Sequence, residues 1–390
     1  MQIDHFPDLV QTDLLLEKIR SGHCAWGTRP VDKPLYLFGA GNLGQMASEY
    51  FRVLGIAPQG AVDFALDRGA SPRLWNGVPL SNPHDVESSV KKESLVAVCI
   101  STHPYEQLAT KLREAGWQDV VPFYDIAESY RDRHPLSNGW FAAPLSDSDL
   151  CQIRSVIRRW GDELSRAHYL QFLAWRCLRE EWVFAQAPVN TANRYFIPEV
   201  LDCLDQNAAG FECLEFLDVG AHYGEVSEQL LRETSGKFRR IDLIEPDVDN
   251  LSLLESRLAS LARRSAIHVH PVVVGAEGGE VPFRSGLGYA SQIVDRHEQM
   301  RTVSTIDSLA LKPSFIKLHL EGWELPALRG AVDTLARCRP VIAATVYHND
   351  LGLFRTANWL AANLEDYRFL FRLHGWCGCA AVVYCLPEAV

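Results

Sequence analysis

The stretch FLDVGAHYGE, Phe216 to Glu225, decides the fold of the second half of this chain. An apolar strand runs into an acid and a glycine turn, and a helix opens directly afterwards. Gly220 and Gly224 allow the main chain to approach a ligand where a Cβ atom would clash, and the N-terminus of the helix attracts a carboxylate or a phosphate. The pattern predicts a cofactor site at the end of this strand.

A second signal lies at the end of the next predicted strand. IDLIEP places Glu245 there, where an acidic side chain can accept hydrogen bonds from both hydroxyls of a ribose. The alternative is an ordinary tight turn with no ligand, but the two signals together favour a site for an adenosine-bearing cofactor. The residues predicted to bind it are Asp218, Gly220, Ala221, His222, Gly224, Glu245 and Pro246.

Composition narrows the class of protein. A length of 390 residues favours two or three domains, and a net charge of -11 argues against nucleic acid as a partner. The 10 cysteines are scattered, which is typical of reduced thiols in a cytoplasm. No stretch of about 18 apolar residues occurs without charge, so we expect no membrane span and no secretion.

Alternating strands and helices predict an α/β protein with two Rossmann-like parallel-sheet domains joined by a helical segment. We expect the N-terminal domain at 1–133, the helical bridge at 134–196 and, at 197–390, a sheet of seven strands that ends in an antiparallel pair, which is the pattern of a class I methyltransferase fold. A helix from Asp8 to Arg20 is predicted to pack onto the first domain.

Seven strands and four helices are predicted in the C-terminal half. The strands are Phe216 to Val219, Ile241 to Ile244, Ile267 to Val274, Phe315 to Leu320, Pro340 to Tyr347, Arg368 to Leu373 and Ala380 to Leu386. The helices are Glu225 to Arg232, Asn250 to Ala262, Glu324 to Arg337 and Arg355 to Asn363.

From about Tyr195 to Pro387 the chain resembles the FkbM family of S-adenosylmethionine-dependent methyltransferases. The matching motifs are FLDVGAHYGE, LIEPD, VSTIDSL, FIKLHLEGWELPALRGA and RPVIAATVYH, in the same order as in the family. The resemblance implies methylation of a hydroxyl on a saccharide or related small metabolite. Many members carry aspartate in the IKxDxEG motif where this chain has His319. The N-terminal domain resembles a nucleotide-binding module that precedes some members.

The residues themselves indicate how a methyl group would be transferred. The displacement is in line, so the protein must hold the donor near an oxygen and help remove the proton of that oxygen. Strand parity places Lys317, His319 and Glu321 on one face. His319 is the first candidate base, Glu321 would orient it or bind the acceptor hydroxyl, and His348 closes the adjacent strand beside Tyr347. The alternative for His319 is a hydrogen-bonded structural histidine.

We expect no metal, since a sulfonium donor is already activated and requires no Lewis acid. Five side chains could in principle gather around a divalent cation, although their spacing is not a ligand signature. They are His319, His348, His374, Glu321 and Asp350. Trp323, Trp359 and Trp376 could stack on a sugar ring, although buried tryptophans in such positions are commoner.

The N-terminal half carries its own glycine motif, GAGNLG. Gly39, Gly41 and Gly44 fit GxGxxG between a strand and a helix, and Asp63 ends the next predicted strand. This turn would bind NAD or a nucleotide sugar, or its glycines only allow close helix packing.

Two function classes therefore remain open beside the methyltransferase. One is a nicotinamide-dependent oxidoreductase or sugar-nucleotide enzyme that uses the N-terminal motif, and the other is a non-catalytic nucleotide-sugar binding protein. For the methyltransferase, we expect the loop from Arg284 to Gln299 and the helical segment from Leu150 to Phe196 to shape the pocket of a small-molecule or saccharide acceptor.

Overall fold

The computed structural model describes residues 1–136, 140–206, 210–259, 264–296 and 299–388. Within these ranges, no helix combines the length and the apolar character needed to cross a lipid bilayer. The predicted ends of the Arg284–Gln299 loop are described, but His297 and Glu298 within it lie outside the described residues.

The N-terminal part is built around a six-stranded, mostly parallel sheet. Its elements are β1 (Gln2–Ile3), α1 (Leu9–Ser21), β2 (Leu35–Phe38), α2 (Asn42–Val53), β3 (Gly60–Val62), β4 (Arg73–Trp75), β5 (Val78–Ser81), α3 (Ser88–Glu93), β6 (Leu95–Val98), α4 (Tyr105–Glu114), β7 (Asp119–Pro122) and α5 (Phe123–Ala127). The strand order is β4-β5-β3-β2-β6-β7, and only the β4–β5 pair is antiparallel. The predicted alternation is thus present.

The β4–β5 hairpin was not predicted. Its two-residue turn is Asn76-Gly77, and both residues have positive φ angles, 48° and 81°. Asn-Gly is the preferred sequence for such a turn because both residues tolerate the left-handed region. The signal was therefore available in the sequence.

Helices connect this sheet to the C-terminal part. They are α6 (Asp147–Ile157), α7 (Glu163–Leu178) and α8 (Pro198–Gln206), with the short strand β8 (Val183–Phe184) between the last two. Strand β8 pairs in parallel with β1, which ties the start of the chain to this segment.

The prediction that α1 packs on the first domain is wrong, because its apolar side faces α6 and α7. Leu16 and Ile19 are buried in the same core as α7, whereas Leu9 and Leu14 are exposed. Arg154 of α6 also contacts Asp13 of α1 at 3.0 Å.

The C-terminal part contains the seven-stranded sheet that the sequence predicts. Its elements are β9 (Glu215–Val219), α9 (Glu225–Glu233), β10 (Arg240–Ile244), α10 (Val248–Leu258), β11 (Ile267–His270), β12 (Val273–Val274), β13 (Gly279–Arg284), β14 (Gln292–Ile293), β15 (Met300–Ser304), β16 (Phe315–Leu318), α11 (Glu324–Arg329), α12 (Val332–Cys338), β17 (Val341–Thr345), α13 (Leu351–Asn363), β18 (Tyr367–Leu373) and β19 (Ala381–Pro387). The order is β11-β10-β9-β16-β17-β19-β18, with β19 antiparallel to both neighbours.

Three predicted elements are shorter than expected. The strand from Ile267 ends at His270, and after Pro271 the chain enters a separate sheet of order β12-β15-β13-β14. Strand β16 ends at Leu318, since Glu321 and Gly322 adopt positive φ angles of 51° and 99°. The helix from Glu324 breaks at Gly330, where the backbone packs directly on the Gly275 carbonyl.

Alternate residues of β9 face two different cores. Leu217 and Val219 point to the side covered by α6, α7 and α13, and Phe216 points to the side covered by α8, α9 and α10. Parallel strands β9, β10, β16 and β17 end at one edge of the sheet, where ligands bind in open α/β sheets. The domain limits at 133 and 196 stay predictions.

Candidate active site

The glycine turn after β9 requires glycine for steric reasons. Gly220 has φ +77°, and a Cβ atom there would lie 2.0 Å from the backbone oxygen of His319. The N–H groups of Gly220 and Ala221 both donate to the Ile244 carbonyl at 3.0 Å. Gly224, with φ +88°, is the N-cap of α9. The turn thus lies against both neighbouring strands.

Asp218 stabilises this turn from the interior of the protein. Its side chain is fully buried, and Oδ1 accepts from Lys317 Nζ at 2.8 Å while Oδ2 accepts from Ser227 Oγ at 3.1 Å. Lys317 Nζ also donates to the Gly220 carbonyl at 2.6 Å. The structure therefore gives Asp218 a positioning role through Lys317 and Ser227, and its predicted contact with a cofactor stays a prediction.

Glu245 lies at the end of β10, as predicted, and its carboxylate faces a cleft. It accepts hydrogen bonds from the backbone N–H of His222 at 2.8 Å, the backbone N–H of Asp247 at 3.0 Å and Asn250 Nδ2 at 3.2 Å. Burial nevertheless raises the pKa of Glu245 to about 7. An ionised carboxylate has about four acceptor sites, and three are occupied here, so about one further donor can be accepted.

The cleft beside Glu245 has a volume of about 70 Å³ and contains four of the predicted cofactor residues. They are Gly220, His222, Glu245 and Pro246, and Asn250, Tyr289 and Trp323 also line it. Ala221 lines an adjoining cavity instead, and Gly224 contributes through the start of α9.

Two side chains in the cleft hold polar atoms without partners. Nε2 of His222 and Nε1 of Trp323 are buried and make no hydrogen bond within the described part of the chain, and Nδ1 of His222 lies 3.6 Å from Glu225 Oε2, beyond hydrogen-bond distance. His222 also has a positive φ of 51°, and its ring stacks on Tyr289 with centroids 3.5 Å apart. Buried polar atoms of this kind are costly unless a ligand or water satisfies them.

The three predicted catalytic residues come together at the same edge of the sheet. His319 Nε2 lies 3.2 Å from Glu321 Oε1 and 3.0 Å from His348 Nε2, and His348 Nδ1 lies 3.1 Å from Glu321 Oε2. The hydroxyls of Tyr195 and Tyr347 each approach a nitrogen of His319 at 3.1 Å. His319 and Glu321 lie beyond the end of β16, so strand parity, which predicted a shared face with Lys317, does not determine where their side chains lie.

The electrostatics of this group follow from its burial. Burial lowers the pKa of His319 to about 3, so the imidazole is neutral at physiological pH and keeps a lone pair. Burial opposes ionisation of Glu321, but its contacts with His348 and His319 hold its pKa below the usual range. The result is a buried carboxylate between two imidazoles.

A second cavity, of about 260 Å³, opens over this group. Its walls come from both halves of the chain: Met46 of α2, Tyr124 and Trp140 on one side, and Tyr195, His319 and Tyr347 on the other. Arg194 Nη2 donates to the Tyr347 hydroxyl at 3.0 Å.

A third cavity, of about 400 Å³, adjoins Glu321 and is strongly polar. It is lined by Arg131, Asp132, Arg284, Asp295, Arg296, Glu321, Trp323 and Asn349, among others. Parts of the two segments expected to shape an acceptor pocket thus line these cavities, since Arg284 and Arg296 belong to the loop and Tyr195 to the helical segment.

Other candidate residues lie away from the site. His374 hydrogen-bonds to the Asn190 carbonyl and to the Tyr384 hydroxyl, both at 2.8 Å, and Asp350 is the N-cap of α13. Trp359 and Trp376 pack against other hydrophobic cores.

Sequence reasoning missed Tyr195, Arg194, Asn250 and Tyr289. Asn250 follows Glu245 by five residues in the first turn of α10, which is a readable signal. Tyr195 and Arg194 carry no motif.

The N-terminal glycine turn is built differently. A Cβ atom at Gly44 would lie 2.0 Å from the Gly39 carbonyl oxygen, so this glycine is required for helix packing. Gly41 is the N-cap of α2, and a Cβ atom there would meet open space. Asp63 accepts from the backbone N–H of Ala40 at 3.1 Å and of Ala65 at 2.9 Å. These contacts agree with the packing interpretation of the motif.

Known proteins resemble the part of the chain that holds the site. Residues 218–371, less than half of the chain, match the model of the methyltransferase FkbM domain. The chain therefore contains an FkbM methyltransferase domain. The match does not include the N-terminal glycine turn, and no curated protein matches the chain.

Comparison with solved structures shows a similarity of fold. The crystal structure of a methyltransferase FkbM from Methylobacillus flagellatus KT has a TM-score of 0.54 at 18% identity, over 97% of this chain and 94% of that chain. The similarity thus extends to the N-terminal sheet, as a likeness of fold alone. A precorrin-6y C5,15-methyltransferase from Geobacter metallireducens GS-15 has a TM-score of 0.30 at 12% identity, over 52% of this chain and 94% of that chain.

Proposed function

We propose that the protein is an S-adenosylmethionine-dependent methyltransferase that methylates a hydroxyl of a saccharide or related small metabolite. One observation carries the proposal: the cleft at Gly220 and Glu245 and the polar group at His319 meet at one edge of the sheet inside the FkbM domain. Glu321 lines both the cleft and the cavity over that group. Donor and acceptor would therefore be held side by side.

The cleft suits the donor in three ways. Glu245 offers a remaining carboxylate lone pair to a ribose hydroxyl, and Gly220 permits close approach of the ligand to the backbone. His222 Nε2 and Trp323 Nε1, which make no hydrogen bond within the described residues, provide further polar contacts. When bound, S-adenosylmethionine supplies an activated methyl group.

The chain's own residues would then orient the acceptor and remove its proton. The polar cavity of about 400 Å³ beside Glu321 is suited to a hydroxyl-rich molecule rather than an apolar one. His319 would accept the proton of the hydroxyl. With a pKa of about 3 its imidazole is a weak base in the resting site, and the adjacent carboxylate of Glu321 favours the imidazolium that forms on transfer.

Calorimetric titration tests the donor. Wild-type protein titrated with S-adenosylmethionine, NAD and a uridine diphosphate sugar should bind the first with one site per chain. Binding of NAD in the absence of any heat with S-adenosylmethionine would contradict the proposal.

Methyl incorporation tests the acceptor class. With methyl-labelled donor, label should appear on hydroxyl-bearing saccharides and remain after mild base, as expected for an ether. Label found only on amine-bearing or carboxylate-bearing compounds would exclude O-methylation of a hydroxyl.

A further inference from the structure

His319, Glu321 and His348 form a compact set of metal-type donor atoms. Each offers one ligand atom, and these atoms all lie within 4.8 Å of one another. Two imidazoles and one carboxylate are the ligand types that first-row transition metals select. The three residues come from the loops after β16 and β17, which the sheet holds side by side.

Hydrogen bonding alone does not account for the contacts of His319 Nε2. Three polar atoms surround this nitrogen: His348 Nε2 at 3.0 Å, Tyr347 Oη at 3.1 Å and Glu321 Oε1 at 3.2 Å. A ring nitrogen carries either one proton or one lone pair, so it can satisfy only one of them well. A cation among these atoms would accept lone pairs from several donors at once.

The separations also match a coordination sphere. With metal–ligand bonds of about 2.1 Å, neighbouring ligands of an octahedron lie about 3.0 Å apart. The contacts from His319 Nε2 to His348 Nε2, 3.0 Å, and to Glu321 Oε1, 3.2 Å, have this length. His348 presents Nδ1 rather than Nε2 to Glu321 Oε2, at 3.1 Å, and the ligand atoms of the three residues lie within 4.8 Å of one another, so side-chain adjustment accompanies binding.

The surroundings resemble a second coordination layer. The Tyr195 hydroxyl lies 3.1 Å from His319 Nδ1, so that nitrogen can donate its proton while Nε2 faces the ion. Such an outer partner sets the tautomer and orientation of a ligating histidine. Glu321, with its positive φ of 51°, is held in a strained backbone conformation that points its carboxylate at both histidines.

We propose that His319, Glu321 and His348 bind one divalent first-row transition metal ion, leaving adjacent positions for two oxygens of the acceptor. The role of the ion toward the acceptor rests on the proposed function, whereas binding of the ion does not. The acceptor class is narrowed to molecules that can chelate, such as a vicinal diol. Coordination lowers the pKa of a hydroxyl, and the released proton passes to solvent water. His319 is then a ligand and not the base.

Nitrogen donors separate this site from a magnesium or calcium site. Those hard cations prefer oxygen ligands, and of the three proposed ligands Glu321 alone offers oxygen. The expectation of no metal came from the activated sulfonium donor, which needs no Lewis acid, and the sequence spacing did not show that His348 approaches His319. His374 and Asp350 are not in the group.

Cobalt titration of the chelator-treated full chain tests the site. We expect one Co²⁺ per chain, with visible absorption bands that Zn²⁺ abolishes by competition. His348→Asn and Glu321→Gln should each weaken Co²⁺ binding about 100-fold. His268→Asn, in β11 of the same sheet, is the matched control and should bind Co²⁺ within about twofold of wild type.

Thermal unfolding and calorimetry with S-adenosylmethionine accompany each variant. Folded wild type that binds no Co²⁺, or binds it no more tightly than both ligand variants, overturns the metal proposal. If that protein still binds S-adenosylmethionine, the proposed function stands without the metal. If Co²⁺ binds and S-adenosylmethionine does not, the metal site stands and the proposed function fails.

Discussion

The two glycine turns of this molecule use the same local device in different surroundings. In each, an acid at or just beyond the end of the second strand accepts a backbone N–H from the turn: Glu245 from His222, and Asp63 from Ala40. Glu245, however, also faces a cleft that contains unpartnered polar atoms. The contrast teaches that a glycine motif indicates a turn, whereas the loops around it decide whether the turn binds a ligand.

The largest expected effect comes from the two glycines, one in each turn, that pack directly against a backbone carbonyl. Gly220→Ala and Gly44→Ala each place a Cβ atom 2.0 Å from a backbone oxygen. Each should lower the free energy of unfolding by about 3 kcal/mol, and Gly220→Ala by more because its φ is positive. Denaturant unfolding measures both. A stable Gly44→Ala protein would show that the N-terminal turn has room to adapt.

Substitution of the acidic residue beside each turn should show which turn binds the cofactor. Glu245→Ala should weaken S-adenosylmethionine binding about 100-fold, since charge-assisted hydrogen bonds contribute about 2–3 kcal/mol. Asp63→Ala should leave that affinity unchanged while lowering the melting temperature. Calorimetry on both variants checks this. Equal losses of S-adenosylmethionine affinity in the two variants would contradict the distinction between the turns.

The pH dependence of binding should sharpen the contrast. Burial raises the pKa of Glu245 to about 7, and the ribose hydroxyls require the ionised form as an acceptor. Affinity for adenosine should therefore fall as pH decreases below about 7, by up to about tenfold per pH unit. Adenosine is the appropriate ligand because it lacks the methionine amine. Glu245→Gln should bind adenosine with an affinity that does not change with pH. A wild-type affinity that is independent of pH would contradict the prediction.

The smallest expected effect comes from a residue of the N-terminal half that lines the site. Met46 of α2 lines the cavity above His319. Met46→Ala should raise the acceptor KM about threefold through lost packing, with no change in S-adenosylmethionine affinity. Steady-state kinetics with a saccharide acceptor measures it. If only the cofactor affinity changed, Met46 would act on the cofactor and not on the acceptor, and the prediction would fail.

Much of the fold could be predicted because local patterns persist in it. Alternating apolar strands and helices led to the seven-stranded sheet, and Gly220 with Glu245 identified the cleft. Errors arose where a local break overrides periodicity: Pro271 splits a predicted strand, and the Asn76-Gly77 turn creates an unpredicted hairpin.

The site was less accessible to sequence reasoning. Asp218 belongs to the glycine motif, but its partner is Lys317, almost one hundred residues later, and their ion pair is buried. Tyr195 reaches His319 from outside the sheet. Neither contact has a periodicity that a sequence can display.

The amino-acid sequence by itself determined the strands, the helices and the edge of the sheet at which polar side chains accumulate, because these follow from the spacing of apolar residues and from glycine turns. Only the tertiary structure decided that Asp218 turns inward, that His319, Glu321 and His348 meet, and that α2 helps enclose them. Such contacts join residues distant in the chain, and the packing of whole elements sets their separation.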